Sequence, residues 1–323
     1  MLYPLKFKPV ILEKVWGAGR LKTIYGKDCR DIEKCGESWE ISGVESRASV
    51  IENGFLAGND LHEILEIYME DLVGEHVFSS YGIKFPLLVK LLDTSDYLSL
   101  QVHPYNGFVD GDTKYAGKTE MWYILNAEPG SEIIAGFKKD VSRETFLNSL
   151  RDKSLKQLLN VYKPKPGDAF FIPAGTLHAI GAGVTLIEIQ QASDDTFRVY
   201  DWDRPGLDGK PRELHLEKAL KVIDFNANLS CKIDYAEVVN SPVNLVEDKL
   251  FTVNLLTIDK NTKLDYIRIN SFVILCCVEG SFKLRYNEGM EEVKAGQCLL
   301  LPSELNEVEF VTSEKTKIAE VYL

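Results

Sequence analysis

Short apolar and alternating segments dominate the pattern of hydrophobic and polar positions along this 323-residue chain. They are rich in branched and aromatic residues and are separated by clusters of Gly, Pro, Asn and Asp, which is typical of β-strands. These segments are 85–92, 97–102, 121–125, 169–172, 185–190, 251–258, 271–278 and 298–301. The pattern favours closed antiparallel barrels or jelly rolls over a layout of alternating parallel strands and helices.

Three stretches with helical spacing interrupt the strands. Segment 59–72 repeats apolar residues at helical intervals, with Asn59 or Asp60 as the cap and Gly74 beyond the end. The same spacing recurs in 142–159 and 213–225. Periodicity alone indicates helices that pack on a core. We therefore expect a mainly β fold with a few peripheral helices.

A weak internal repeat accompanies these elements. Residues 166–173 (PGDAFFIP) and 295–302 (AGQCLLLP) both read as a turn, an apolar strand and a proline. Two copies of one barrel unit explain such a repeat. The second copy has Glu307 at the position that corresponds to His178. We therefore expect the C-terminal barrel to be a structural unit without a metal.

The length of the chain suits two such units. We place the boundary near 230–245, which gives a catalytic domain of 1–235 and a degenerate barrel of 236–323. The three helical segments then all belong to the first domain.

Composition narrows the function classes. The net charge is −12 and no run rich in Lys or Arg stands out, which argues against a nucleic-acid partner. The N-terminus lacks a signal-peptide core, and apolar runs such as 272–278 are far shorter than the roughly 20 residues of a membrane span. We expect a cytoplasmic protein with no membrane partner. Its six cysteines show no Cys-x-x-Cys spacing, and we expect them to be reduced.

Polar residues alternate with apolar ones in 97–102. Ser99, Gln101 and His103 share one face of this strand. If that face points inward, its polar atoms need partners, and a metal ion is one such partner. The alternative is that the apolar residues form the core face and the polar row is solvated; this strand alone does not decide between them.

The next strand places Lys118, Glu120 and Trp122 on one face. Pointing inward, Glu120 offers an anionic oxygen ligand and Lys118 a nearby cation. Taken alone, a Lys-x-Glu pair is more typical of a solvated face.

The third element is the most specific. Residues 167–178 (GDAFFIPAGTLH) read as a turn, a buried strand, a tight Pro-Ala-Gly bend and then His178. This spacing resembles the second motif of the cupin superfamily, whose histidine is a metal ligand. The first cupin motif offers His-x-His and a later Glu, and here Gln101, His103 and Glu120 match those positions, with Gln in place of the first His.

The Gln variant is that of the type I mannose-6-phosphate isomerases, and the resemblance to this family covers nearly the whole chain. The matching motifs are 16–17 (WG), 36–42 (GESWEIS), 85–93 (FPLLVKLLD), 98–104 (LSLQVHP), 117–122 (GKTEMW), 172–181 (IPAGTLHAIG) and 198–204 (RVYDWDR). The chain is similar to the short bacterial form. Thr119 is a departure, because larger relatives often have proline there.

The resemblance implies two cupin-type jelly-roll barrels and an enzyme that interconverts mannose 6-phosphate and fructose 6-phosphate. It implies one Zn²⁺ per chain, a sugar-phosphate substrate, and a monomer or homodimer. The implied metal ligands are Gln101, His103, Glu120 and His178. The implied substrate and catalytic residues are Ser99 and Lys90 near the phosphate, Lys118 and Arg198 as active-site cations, and Glu188 and Asp194 as carboxylates beside the sugar.

Some alternatives stay open. Two imidazoles, a carboxylate and an amide suit zinc but also accept manganese, iron or cobalt. The general base is one of Glu188, Asp194 and Lys118. A non-enzymatic sugar-binding protein with two cupin barrels and an iron-dependent cupin dioxygenase are the competing functions; the first expects both metal sites to be lost, and the second favours three histidines without phosphate anchors.

Overall fold

β-Strands form most of the regular structure in the computed structural model, which describes residues 1–227, 230–287 and 289–323. The strands are β1 Phe7–Lys8, β2 Val10–Ala18, β3 Cys35–Ser42, β4 Val50–Ile51, β5 Leu87–Asp93, β6 Leu100–Val102, β7 Val109–Asp110, β8 Thr113–Lys114, β9 Glu120–Ala127, β10 Ile133–Phe137, β11 Leu159–Tyr162, β12 Ala169–Ile172, β13 His178–Ile180, β14 Val184–Gln191, β15 Phe197–Tyr200, β16 Lys232–Ile233, β17 Pro242–Glu247, β18 Thr252–Ile258, β19 Thr262–Asp265, β20 Val273–Glu279, β21 Ser281–Tyr286, β22 Gly289–Lys294, β23 Cys298–Leu301, β24 Glu307–Val311 and β25 Thr316–Tyr322. The prediction of a mainly β fold is confirmed.

Helices are few and short. They are α1 Arg20–Thr23, α2 Leu61–Val73, α3 Glu75–Tyr81, α4 Arg143–Arg151 and α5 Leu216–Val222, with 3₁₀ turns at Glu45–Arg47 and Leu155–Leu158. None of the helices in the described ranges combines the length and the apolar character that crossing a bilayer requires.

Each predicted helical segment contains a helix. The Asp60 side chain caps α2 in a capping box with Glu63, which satisfies backbone N–H groups of the first turn. The predicted helix over 142–159 is shorter than expected: α4 ends at Arg151, and Lys153 has a φ of 55°. That backbone conformation cannot continue a helix. The apolar residues that follow therefore lie in the 3₁₀ turn and then in β11.

Contacts divide the chain into two units. The first contains 1–10, 39–90 and 234–323, and the second contains 11–38 and 91–233. Each unit combines segments that are far apart in the sequence, so the units do not correspond to one N-terminal and one C-terminal domain. The domain boundary that the sequence predicts at 235 therefore stays a prediction.

In the second unit, two sheets enclose a core. One has the order β11-β10-β13-β6-β15, and the other has the order β16-β12-β9-β14-β5-β3-β2; the chain passes between the units within β2, β3 and β5. Apolar side chains from both sheets, among them Trp122, Ile133, Phe170 and Ile180, pack together between them. A further core lies where α4 and α5 cover the outer face of the five-stranded sheet. The interior between the sheets is where the site is built.

The C-terminal part of the first unit repeats this arrangement. Its sheets have the orders β17-β18-β25-β20-β23 and β19-β24-β21-β22. Leu256, Leu275, Phe282 and Phe310 pack between them. In the part of the chain that the structure describes, no sheet of either unit closes on itself.

The expectation that all cysteines are reduced is wrong for one pair. Cys29 and Cys35 form a disulfide in the second unit, and the other four cysteines are buried and not disulfide-bonded.

Candidate metal centre

Three buried side chains converge in the interior of the second unit. Glu120 is the first residue of β9, His178 is the first residue of β13, and His103 follows the end of β6. Their exposed fractions are 0%, 1% and 1%. One ligand atom from each lies within 4.8 Å of the others, so the three residues together could hold a metal ion.

Strand register explains why these side chains meet. In the five-stranded sheet, Gln101 of β6 pairs with His178 of β13 on one side and with Arg198 of β15 on the other. Residues paired directly across antiparallel strands share a face. In the opposing sheet, Glu120 pairs with Gln190 of β14. The inward interpretation of the alternating strand 97–102 is therefore correct, because its polar row faces Glu120 across the interior.

Both histidines are held in one orientation by backbone carbonyls. The Nδ1 atom of His103 lies 2.8 Å from the Asp195 carbonyl oxygen, and that of His178 lies 2.8 Å from the Thr176 carbonyl oxygen. Since a carbonyl oxygen only accepts, each Nδ1 carries the hydrogen, and each Nε2 keeps its lone pair. Metal-binding histidines commonly have this arrangement.

Inner atoms of Glu120, the two histidines and Gln101 lie close to one another. Glu120 Oε1 lies 3.3 Å from His178 Nε2, and Glu120 Oε2 lies 3.4 Å from His103 Nε2. The Gln101 amide nitrogen lies 3.3 Å from His178 Nε2. Glu120 Oε1 is also a buried oxygen without a hydrogen-bond partner among the described residues, so the donor set fits a cation.

Lys118 supplies positive charge at the same place. Its Nζ lies 2.7 Å from Glu120 Oε2, 3.0 Å from His103 Nε2 and 3.9 Å from Glu188 Oε1. Burial would lower the pKa of Lys118, but the carboxylates of Glu120 and Glu188 outweigh it and raise this pKa. Burial would raise the pKa of Glu120, but the Lys118 ammonium holds it well below its ordinary value. The pair is therefore ionised at neutral pH.

The imidazoles are neutral. Burial and the nearby Lys118 ammonium lower the pKa of His103 to about 3, although the Glu120 carboxylate opposes them. Burial likewise lowers the pKa of His178. Neutral imidazole is the form that binds metals.

The other residues predicted for the site lie at different distances from this cluster. The Ser99 hydroxyl donates to Gln101 Oε1 over 3.1 Å. Arg198 is half-buried; its NH1 donates to the Glu213 carbonyl over 2.8 Å, and its buried Nε has no hydrogen-bond partner among the described residues. Asp194 is exposed in the turn after β14, but its charge still acts on Lys118. Lys90 belongs to the first unit, where its Nζ lies 5.0 Å from the centroid of the Trp39 ring.

Two further polar residues line the same interior face. Trp122 Nε1 donates to Glu188 Oε2 over 3.0 Å, which fixes that carboxylate. Gln190 is fully buried, and its amide donates to the carbonyls of Gln191 and Ser193. The sequence places both residues on the faces of Glu120 and Glu188, but alternation alone gives neither of them a role.

Comparisons with known proteins identify the family of the chain. A model described as phosphomannose isomerase type I, catalytic domain, matches residues 4–122, and one described as mannose-6-phosphate isomerase, cupin domain, matches 242–323. A mannose-6-phosphate isomerase of Bacillus subtilis is 34% identical over 308 residues, covering 94% of each chain. One from Streptococcus mutans is 34% identical over 313 residues, covering 96% of each chain.

Solved structures agree as well. The crystal structure of a mannose 6-phosphate isomerase from Bacillus subtilis matches with a TM-score of 0.89 at 31% identity, covering all of both chains. A structure from Archaeoglobus fulgidus, at 23% identity and a TM-score of 0.76, shares the fold. Because identity of 34% extends over nearly the full length of the two bacterial relatives, the chain belongs to the type I mannose-6-phosphate isomerase family.

Proposed function

We propose that this protein is a zinc-dependent aldose–ketose isomerase that interconverts mannose 6-phosphate and fructose 6-phosphate. The observation that carries the proposal is the buried convergence of His103, Glu120 and His178 in a chain of this family. The cluster combines two neutral imidazoles with one carboxylate, a donor set that suits Zn²⁺.

Gln101 completes the proposed ligand set. Its amide already faces His178 Nε2 at 3.3 Å, and a half-turn of the amide presents Oε1 at that place. The neighbouring Ser99 hydroxyl can then accept from the amide nitrogen instead of donating to the oxygen, since a hydroxyl does both. One zinc ion per chain follows. When bound, the ion supplies a Lewis acid for negative charge on the sugar oxygens.

The reaction moves two protons and two electrons within the sugar, from C2 and its oxygen to C1 and its oxygen. A base removes the proton at C2 of the aldose while O1 takes up a proton, which gives an enediol; a proton then adds to C1 and the hydroxyl at C2 loses its proton, which gives the ketose. We assign the base to Glu188, because Trp122 Nε1 orients its carboxylate over 3.0 Å. Lys118 holds its proton through the two carboxylates near it, and Asp194 is exposed to water, so each is less suited to this role.

Positive charge positions the substrate. Arg198 lies opposite Gln101 in register and has an Nε that makes no hydrogen bond within the described part of the chain. We assign it, with Lys118, to stabilising the negative charge that develops on the sugar oxygens. Ser99 and Lys90 stay the proposed contacts of the phosphate, by their match to the family motif.

We further propose that each pair of facing sheets is a cupin-type jelly roll. The repeat between 166–173 and 295–302 supports two related barrels. The C-terminal barrel lacks a metal in this proposal, since Glu307 stands where the first barrel has His178. The protein acts in the cytoplasm, as a monomer or a homodimer, on a small sugar phosphate without a nucleic-acid or membrane partner.

A coupled assay on metal-replete protein tests the function. We expect fructose 6-phosphate from mannose 6-phosphate, together with about one zinc per chain in elemental analysis. Iron in the protein and no isomerase activity would point to a cupin dioxygenase instead. Binding of the sugar phosphate without turnover would point to a non-enzymatic binding protein.

A further inference from the structure

Thr119 lies between Lys118 and Glu120, immediately before β9. It is 6% exposed. Its backbone N–H donates to Gln191 Oε1 over 3.0 Å, and its carbonyl accepts from the Gln191 N–H over 3.2 Å. Its hydroxyl oxygen accepts from the Ala174 N–H over 3.2 Å. Thr119 therefore joins the segment that carries Glu120 to two other segments of the same unit.

The Ala174 contact ties Glu120 to the bend that precedes His178. Ala174 lies in the Pro-Ala-Gly bend, and the next residue, Gly175, donates its N–H to the His103 carbonyl over 2.9 Å. All three residues that could hold the metal thus lie on segments that are hydrogen-bonded to one another through this bend.

Gln191 extends the connections on the other side. Its amide nitrogen donates to Asn106 Oδ1 over 3.0 Å, and the same oxygen accepts from the Gly117 N–H over 2.9 Å. A Cβ at position 117 would lie 2.4 Å from that oxygen, so the close approach requires glycine. The bonds from Thr119 through Gln191 and Asn106 return to the loop that begins at His103. Together with the chain links from Ala174 to Gly175 and from His103 to Asn106, these hydrogen bonds close a ring that runs through the metal-binding segments.

We propose that Thr119 and Gln191 are positioning residues that set the spacing of His103, Glu120 and His178; the inference rests on the metal site proposed above. Neither side chain supplies a ligand atom of the cluster, so each acts through the backbone of the ligand-bearing segments. Partners behind the ligands commonly change metal affinity by 10- to 100-fold. Loss of either side chain loosens the ligand spacing and speeds the release of the metal.

The Thr119 hydroxyl can be removed with little change in shape. Thr119→Val keeps the size but loses the oxygen that accepts from Ala174, whereas Thr119→Ser keeps that oxygen. In zinc-loaded protein we expect Thr119→Val to release zinc to an excess of a chromogenic chelator about tenfold faster than wild type. Thr119→Ser should release it at close to the wild-type rate.

Thr94→Val is the matched control. Thr94 is fully buried in the same unit, and its hydroxyl also bridges backbone groups, those of Gly181 and Val184. It lies outside the ring. We expect it to lower the melting temperature of the apoprotein without changing the rise in melting temperature that zinc produces, whereas Thr119→Val reduces that rise. A merely structural role of Thr119 would lower the two melting temperatures equally.

Gln191→Met is a second, independent test of the proposal, and it can be used if Thr119→Val does not fold. It removes the bonds to Thr119 and Asn106 while it keeps the length of the side chain, and we expect about tenfold faster zinc release here too. An unchanged release rate in folded Gln191→Met would overturn the inference, as would equal rates for Thr119→Val and Thr119→Ser. Failure of the wild-type protein to bind zinc or to isomerise mannose 6-phosphate would instead contradict the proposed function.

Discussion

Gln101 and His178 lie directly opposite each other on neighbouring antiparallel strands, with their side-chain nitrogens 3.3 Å apart. The pairing continues to Arg198 on the next strand. Because a slip of one residue turns every side chain of a strand to the other face, this register is what places the three residues on one face of the sheet. The site therefore depends on how the sheet is paired as much as on which residues it contains.

His178→Ala should abolish metal binding and isomerase activity while the fold is retained. The variant removes one ligand atom at the start of β13 and leaves the pairing of Ala179 and Ile180 with β10 intact. Elemental analysis, far-UV circular dichroism and the coupled assay measure the three effects. The control is His76→Ala, at an exposed position of α3, which should change none of them. Stoichiometric zinc in folded His178→Ala would remove this residue from the ligand set.

Arg198→Ala should keep the metal and lower turnover by about two orders of magnitude. The magnitude follows from losing one donor that stabilises charge in the transition state. Arg198→Lys should recover only part of the rate, because a single ammonium does not reproduce the planar guanidinium. Steady-state kinetics and zinc content are measured on the same preparations. Turnover near the wild-type rate in Arg198→Ala would exclude Arg198 from the mechanism.

Glu188→Gln should lower turnover by about two to four orders of magnitude, the usual contribution of a general base. The amide keeps the size of the side chain but cannot take the proton from C2. Trp122→Phe removes the N–H that orients Glu188 and should cause a smaller loss. Exchange of the C2 proton with deuterium oxide reports on the proton-transfer step itself. If Asp194→Asn suppressed this exchange and Glu188→Gln did not, the base would be Asp194.

Much of the site could be predicted because strand alternation is a simple rule. Two-residue spacing places Gln101 with His103, Lys118 with Glu120, and Glu188 with Gln190, and the structure shows each of these on an interior face. The bend before His178 is equally visible, since Pro173 fixes its own φ and Gly175 readily adopts the positive φ of 87° found there.

Other features have no local signal. The two carbonyls that fix His103 and His178 belong to Asp195 and Thr176, and every residue has a carbonyl, so no residue type marks them. The early end of α4 depends on Lys153, whose positive φ is rare for a side chain of this kind. The two-unit division depends on contacts between segments far apart in the sequence.

Glu320 should make the stability of the C-terminal sheets depend on pH. It is 4% exposed, and burial raises its pKa above the ordinary value of a glutamate, although hydrogen bonds from Tyr266 and Asn254 oppose the shift. Between the unfolded and the folded pKa the folded state holds a proton that the unfolded state has lost. The free energy of unfolding therefore falls as pH rises through this window, and the contribution is constant above it.

Glu320→Gln should remove this dependence, because an amide does not titrate in this pH range. Its oxygen can still accept a hydrogen bond from the Tyr266 hydroxyl, which donates to Glu320 Oε1 over 2.5 Å in the wild type. Urea unfolding at several pH values upward from about 4.3, the ordinary pKa of a glutamate, measures the difference in stability between the variant and wild type. We expect this difference to grow in favour of the variant as pH rises and then to level off. Glu247→Gln, at an exposed position of β17, is the control. If the difference in stability between the variant and wild type did not change with pH, Glu320 would have the same pKa in the folded and unfolded chains.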